Sequence, residues 1–417
     1  MCTPWLQGLL FLGGAAGKSA QFPLHVWIPD AMEGPTTVSA LIHAATMVTA
    51  GVYLVARVYP LYIDSITAMD VVLFIGAFTA VFAGTIGIVS NDLKRILAYS
   101  TISQLGYMFA ALGLGSVIGE SAVPFALFHT MVHAIFKALL FLSAGAILLT
   151  LMDLRDVKRM GGLWKRMPFT ITLMFIGAIT LAAIPFTASY YSKDTIINAS
   201  WLFFSSNGYS LFSILPWIML ILGALVTTVY TFRFFLLVAI GEPRSELARN
   251  ARDPPKKVLI PLIILAIVSL IMGQFQYAFY DFIYAVTIHV SIPTIVSYLP
   301  SMMVLLALLI TIPLYGTTGW KSLELRKNVL YKTVRNKYYL DKLFTNIIAE
   351  RAIAGISSAF STFESGFSRA IEGIGTEGMK TGTFFRRLQN GIIEYYFVVM
   401  VIGISLVLLF LEITGGF

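Results

Sequence analysis

Apolar runs long enough to cross a bilayer alternate along this chain with short polar stretches in which the charged residues gather. A spanning helix needs about 20 mostly apolar residues, and this predicts about ten spans. They fall at 5–18, 36–58, 69–89, 94–114, 123–149, 170–200 with a break inside it, 211–240, 258–275, 295–314 and 393–411. The first run begins almost at the first residue, so no signal peptide is expected before it. Between the last two spans, 338–389 holds no spanning run. There Leu340, Leu343, Phe344, Ile347, Ile348, Ala352, Ile356, Phe360, Phe363, Phe367 and Ile371 recur at helical spacing, with Lys342, Glu350, Arg351 and Glu364 largely between them. That is the pattern of an amphipathic helix lying along a surface. At 1.5 Å per residue, 340–374 would reach roughly 50 Å, a length that favours a protein neighbour over lipid headgroups alone. Gly373, Gly375, Gly378 and Gly382 are expected to loosen it before the last span. The fold expected is all-α: a polytopic bundle, two of its helices broken at Pro23 and Pro185, with a lateral amphipathic helix ahead of the final span.

Composition agrees with the pattern. The chain is 58% hydrophobic and 12% charged, where a soluble domain carries about a quarter charged residues. Cys2 is the single cysteine, which excludes a disulfide framework and a cysteine-ligated iron–sulfur cluster here. The net charge of +8 would suit nucleic acid if it were spread over one surface. Instead Lys and Arg sit in alternate loops: Lys94 and Arg95; Arg155, Lys158, Arg159, Lys165 and Arg166; Arg244, Arg249, Arg252, Lys256 and Lys257; and again 315–337. The loops near 59–68, 115–122, 205–210 and 276–291 hold none. This is the positive-inside arrangement, which places the basic loops in the cytoplasm and disposes of a nucleic-acid partner.

Ionisable residues inside spans are costly and mark function by default. Lys18 ends an apolar run before Pro23, and His43 lies within 36–58. His129, His133 and Lys137 stand at i, i+4 and i+8 in 123–149, on one helical face. Lys193 follows Pro185 in AIPFTASYYSKD, where the proline frees backbone carbonyls. A lysine at a span end often snorkels, and a lone membrane histidine often bonds a neighbouring helix. Lys94, beside Arg95, reads first as a positive-inside anchor. Three titratable groups on one stripe must instead face a polar interior.

Three other motifs fail. HTMVH at 129–133 has zinc-helix spacing, but Thr130 stands where a metalloprotease needs glutamate, and Lys137 would repel a cation. GGAAGKS at 13–19 has one residue too few between its glycines for a phosphate loop. GLGSVIG at 113–119 misses the dinucleotide spacing. Neither a metal nor a nucleotide is expected. A desolvated lysine can give up its proton, and histidine exchanges one near neutrality, so a water-linked line of them points to proton or cation translocation.

The stretches GKSAQFPLHVWIPDAMEGPTTVSALIHAATMVTAGVYLVAR, NDLKRILAYSTISQLGYMFAALG, FHTMVHAIFKALLFLSAGAIL, MGGL and YYSKD resemble the antiporter-like family. That family comprises the proton-pumping membrane subunits of respiratory complex I and related cation/proton antiporter subunits. NKYYLDKLF and the arm it opens look like the distal L, or mitochondrial fifth, type. The resemblance implies that Lys18 is central to a first half-channel, that His43 connects it inward, and that Lys94 stands between half-channels. It implies that His129, His133 and Lys137 form a mid-membrane axis and that Lys193 lies on the exit side. It further implies segments of 1–114 (rest of the first half-channel), 115–337 (second half-channel), 338–390 (lateral helix) and 391–417 (anchor). Flavin, iron–sulfur clusters and quinone would belong to partner subunits, with no cofactor in this chain; the partners implied are other antiporter-like and quinone-site membrane subunits.

The sequence departs from the family in places. The membrane glutamate that pairs with the first lysine is absent, and the chain looks like the C-terminal two-thirds of a full subunit. Thr37 replaces a proline in GPTT, the segment after the fifth span reads LLTLMDLRD, and the second break has Pro185–Phe186 and Ser189. Two functions stand: a proton-translocating subunit of a membrane oxidoreductase, or a subunit of a multi-subunit sodium/proton antiporter. The arm and final span favour the first.

Overall fold

The structure, a computed structural model, describes residues 3–284, 292–316, 328–387, 389 and 391–415. Among these residues every named element is helical, beside one isolated β-bridge between Asp92 and Asp156. The chain forms two units, Met1–Tyr339 and Leu340–Phe417.

The larger unit opens with α1 (Pro4–Lys18), α2 (Thr36–Ala44), α3 (Ala50–Arg57), α4 (Ile66–Val89) and α5 (Leu93–Gly113). It continues with α6 (Ala122–Thr150), α7 (Pro168–Leu181), α8 (Ala188–Ser206) and α9 (Leu215–Ala239). Then come α10 (Lys256–Ile271), α11 (Gln276–Tyr284), α12 (Thr294–Gly316) and α13 (Val329–Arg335). By length and apolarity, six helical stretches among the described residues could cross a membrane, one of them running through both α5 and α6. Proline at the first turn starts α1, α7 and α9, where its missing N–H costs nothing. Asp92 caps α5 by accepting from the Arg95 amide at 2.9 Å. The core helices are α5 and α6: nearly every residue of α5 is buried, and α6 packs against α2, α5, α7, α8 and α10.

Glycine sets the closest approaches. A Cβ on Gly76 would lie 2.4 Å from the Ala110 amide, and one on Gly106 would lie 2.6 Å from that of Ala80, so α4 and α5 touch backbone to backbone. Gly161 and Gly162 of the MGGL stretch have φ of +104° and +63° and would collide with the carbonyls of Glu242 and Gly241. That turn ties the basic loop after α6 to the one after α9.

Those basic loops meet at one end of the bundle. Leu93 donates to the Arg155 carbonyl and Val157 to that of Asn91, both at 2.9 Å. Arg244 donates to the carbonyls of Lys158, Val157 and Leu237. Arg155 joins Asp153 at 2.8 Å and Glu33 at 3.2 Å, and hydrogen bonding to Asp153 holds its guanidinium more basic than usual. Three of the four basic stretches of the sequence therefore meet in one place.

The bundle departs from the expectation in its second span. The run 36–58 is two helices parted at 45–49. Thr46 donates to the Leu41 carbonyl, and Thr49 to those of Ala45 and Thr46. Ser19 reaches across to the Val48 carbonyl at 2.6 Å. Local hydroxyls thus satisfy the carbonyls that a continuous helix would use.

In the smaller unit, a short turn of α-helix and a π-helix, Leu343–Ile353, lead into α14 (Ala354–Arg387), followed by α15 (Ile393–Ile413). The glycines expected to loosen the arm do not end it: α14 runs through all four. Each costs about 1 kcal/mol relative to alanine. Threonines 376, 381 and 383 donate back into the same helix, and Lys380 pairs with Glu377 at 2.6 Å. Phe360, Phe363, Phe367 and Ile371 are exposed along it. The basic stretch 315–337 and the loop 276–291 each lie partly outside the described residues.

Candidate functional site

The helix breaks position the site. At the first, α1 stops at Lys18, five residues before Pro23, and Ala20 takes a φ of +49°. At the second, α7 stops at Leu181, and Ala183 and Phe186 take φ of +57° and +71° around Pro185. A left-handed alanine or phenylalanine costs roughly 1–2 kcal/mol, and such residues persist where surrounding structure fixes them, commonly at functional sites. Both prolines sit within the breaks, not at the helix ends.

Six of the seven residues singled out are buried: His43, Lys94, His129, His133, Lys137 and Lys193. Lys18 is exposed, and the structure does not bring it to the others. Lys94 lies in the first turn of α5 and donates to the Gly34 carbonyl at 2.6 Å, at the end where the basic loops meet. Lys137 donates to the Ser100 hydroxyl at 2.6 Å. His133 faces the Ala44 carbonyl through Nδ1 at 3.3 Å, at the break between α2 and α3. His43 stacks on Phe141, ring centroids 5.6 Å apart, and neither ring nitrogen has a hydrogen-bond partner. His129 Nδ1 is 2.9 Å from the Ser192 hydroxyl on α8. The next residue, Lys193, places Nζ 4.6 Å from the centre of the Tyr107 ring, a cation–π contact in place of a hydrogen bond.

Helix α5 serves as a ruler for this line. Lys94, Ser100 and Tyr107 lie on it in order, so at 1.5 Å per residue Lys137 sits about 9 Å, and Lys193 about 20 Å, from the level of Lys94. The stripe on α6 runs antiparallel beside it, from Lys137 through His133 to His129. Nε2 of both histidines is buried and unpaired. Buried nitrogens of this kind can pass a proton to bound water.

Four further polar residues belong here, of which Asp194, ionisable inside the expected span 170–200, carried the same kind of sequence signal as Lys193. Ser100, Tyr107, Ser192 and Asp194 are serine, tyrosine and aspartate in apolar helices, found by what they touch. Asp194, buried beside Lys193, accepts a long 3.5 Å contact from Ser301 on α12. The spacing of Ser100 and Tyr107, seven apart on one helix face, could have suggested them.

Fold and site together define a multi-span helical membrane protein with a line of buried basic residues in its core. Residues 3–227 match the family described as NADH:quinone oxidoreductase/Mrp antiporter, TM, and the chain belongs to that family. Residues 230–411 match the NADH dehydrogenase subunit 5 C-terminus. Among similar proteins, F(420)H(2) dehydrogenase subunit L of Methanosarcina mazei is 40% identical over 97% of this chain and 64% of its own. NADH-quinone oxidoreductase subunit L of Neisseria meningitidis is 38% identical over 98% and 65%. NADH-ubiquinone oxidoreductase chain 5 of Marchantia polymorpha is 36% identical over 98% and 62%. The chain thus spans slightly under two thirds of the length of these relatives. Among solved structures, the Mrp complex from Dietzia sp. aligns with a TM-score of 0.63 at 24% identity, over 97% of this chain and 41% of that one. An archaeal membrane-bound sulfane sulfur reductase aligns at 0.57 and 26%, over 72% and 57%.

Proposed function

We propose that this chain is a proton-translocating membrane subunit of a redox-driven quinone oxidoreductase. The observation that carries the reading is the buried line Lys137, His133, His129 and Lys193 on α6 and α8, held by Ser100 and Tyr107 of α5, the Ala44 carbonyl at the end of α2, and Ser192 of α8. Four ionisable groups are costly to bury in apolar helices, and their gathering along one line favours function over packing. The match of the C-terminal part to subunit 5, and the names of the relatives, support a redox-linked complex over an exchanger.

In this reading protons pass between Lys137 and Lys193 through the two histidines and bound water. His43 and Lys94 adjoin that line from the α2 side and from the basic end, and Lys18 serves a first half-channel. Flavin, iron–sulfur clusters and quinone reside in partner subunits, and this chain holds no redox centre. Its neighbours are other antiporter-like subunits and those that form the quinone site. It lies in the cytoplasmic membrane with the basic loops on the cytoplasmic side.

The test replaces Lys137 or Lys193 with alanine in the assembled complex and measures proton uptake by vesicles alongside electron transfer. Pumping should fall ~10-fold or more in each, the scale set by losing a proton-transferring group. Unchanged pumping in both variants overturns the reading. Transport that requires sodium and continues without an electron donor supports the antiporter alternative.

A further inference from the structure

Apart from Ser100, which holds Lys137, a polar cluster between α5 and α9 has no role in the proposed line. Ser100, Ser103 and Gln104 on α5 and Thr227, Tyr230 and Thr231 on α9 are all fully buried. Three of them already donate to backbone carbonyls: Ser100 to Leu97 at 2.7 Å, Ser103 across to Ala80 on α4 at 2.7 Å, and Thr227 to Gly223 at 2.6 Å. The Tyr230 hydroxyl is set among the side chains of Thr227, Gln104, Ser103 and Ser100. Yet that hydroxyl, both amide atoms of Gln104 and the Thr231 hydroxyl close no direct hydrogen bond of good geometry.

Leaving such groups dry costs about 1–3 kcal/mol each. Bound water is the usual partner of buried polar groups that lack one. An amide offers two donors and two acceptor sites, and a phenol offers one donor and an acceptor. Gln104 facing Tyr230 is therefore built to hold more than one water.

Its position gives the water a task. Ser100, Gln104 and Tyr107 stand at i, i+4 and i+7 on α5, so they share a face. One end of that face holds Lys137 through Ser100, and the other carries the Tyr107 ring against Lys193. On α9, Gly223, Thr227 and Tyr230 repeat the spacing, and a Cβ on Gly223 would lie 2.6 Å from the Tyr107 hydroxyl. The cluster covers the same interval as His133 and His129 on α6.

We propose that Gln104 and Tyr230 hold a file of bound water that carries protons between Lys137 and Lys193 beside the histidines. This rests on the proton-translocation reading above. The Lys137 ammonium releases a proton to the first water, each water hands a different proton to the next, and the Lys193 amine takes the last. N–H and O–H bonds alone are made and broken, and no proton is gained or lost. Gln104 never ionises in this sequence; it is a positioning residue.

The test uses the assembled complex in vesicles with Gln104→Leu, Gln104→Asn and Tyr230→Phe, and with Lys137→Ala as reference. Gln104→Leu should lower protons pumped per electron ~10-fold while uncoupled electron transfer is kept, because the amide that orders the water is gone. Gln104→Asn, which keeps the amide, should recover at least half of the loss. A high-resolution cryo-EM map of the parent should show water within hydrogen-bond distance of Gln104, absent in Gln104→Leu. Where Gln104→Leu does not assemble, Tyr230→Phe, which removes one oxygen, decides by the same readout. The proposal is overturned if Lys137→Ala stops pumping while Gln104→Leu or Tyr230→Phe pumps like the parent. It is equally overturned if the parent map shows no such water. If Lys137→Ala itself pumps normally, the translocation reading has failed, and the water file fails with it.

Discussion

The two helix breaks use the same materials and reach different ends. Each has a proline, a left-handed alanine and a lysine within eight residues of that proline. At the first, the lysine precedes the break, ends its helix and stays exposed. At the second, the lysine follows the break by one and a half turns and is enclosed by α5, α6 and α8. What distinguishes them is the company each keeps. The first break is clamped by backbone contact: a Cβ on Gly51 would lie 2.3 Å from the Ser19 hydroxyl and 2.4 Å from the Ala15 carbonyl. The second is lined by side chains that can take part in proton exchange, among them Ser192, Asp194 and Tyr107. At the second break these groups surround the buried Lys193, whereas at the first the buried polar residues Gln21 and His25 lie beyond an exposed Lys18.

The largest effect should come from attacking shape at the first break. Gly51→Val forces α1 and α3 apart and should destabilise the folded chain by about 3 kcal/mol, read as a lowered thermal midpoint in detergent. An unchanged midpoint would mean that the close approach of α1 to α3 is not what holds this break. Next is Lys193→Met, expected to reduce proton transport ~10-fold or more. The same change removes a buried amine that lacks a hydrogen-bond partner and should raise stability by about 1–2 kcal/mol. Lys18→Met should leave stability within about 0.5 kcal/mol, as an exposed change does. If both lysines behave alike in unfolding experiments, the contrast between the breaks is lost.

Smaller effects sharpen the same contrast. Ser192→Ala removes the hydroxyl facing His129 and should cost about 1 kcal/mol, together with a change in the His129 ring signals by NMR. Ser19→Ala removes the hydroxyl bonded to the Val48 carbonyl and should cost a similar ~1 kcal/mol, with no change at His129. The least effect belongs to Arg155→Ala, which breaks exposed pairs with Asp153 and Glu33. It should cost about 0.5 kcal/mol or less at low ionic strength and nothing measurable in high salt.

The apolar helices are legible because a bilayer demands long apolar runs, and most helix ends lie within a few residues of where apolarity stops, although six stretches among the described residues, and not ten, are long and apolar enough to cross a membrane. The stripe on α6 was legible because His129, His133 and Lys137 share one helix face by spacing alone. The division of 36–58 was not, because Thr46 and Thr49 are compatible with a helix until Ser19 arrives from elsewhere in the chain. The arm was misjudged at its glycines for the opposite reason: a local cost was read as decisive although many neighbouring turns share it. Gln104 and Tyr230 escaped notice because neither ionises at neutral pH, and their meaning lies in facing one another across two helices.

The spacing of the two buried lysines along α5 also has an electrical meaning. Ser100, at Lys137, and Tyr107, at Lys193, are seven positions apart on α5, about 10 Å, close to a third of the hydrocarbon thickness. A charge crossing the whole membrane works against about 2.3 kcal/mol per 100 mV. A proton moved from one lysine to the other would work against roughly 0.8 kcal/mol per 100 mV in an evenly shared field. This step alone would therefore slow only gently as the membrane charges, while the remaining two-thirds of the voltage falls on the entry and exit segments.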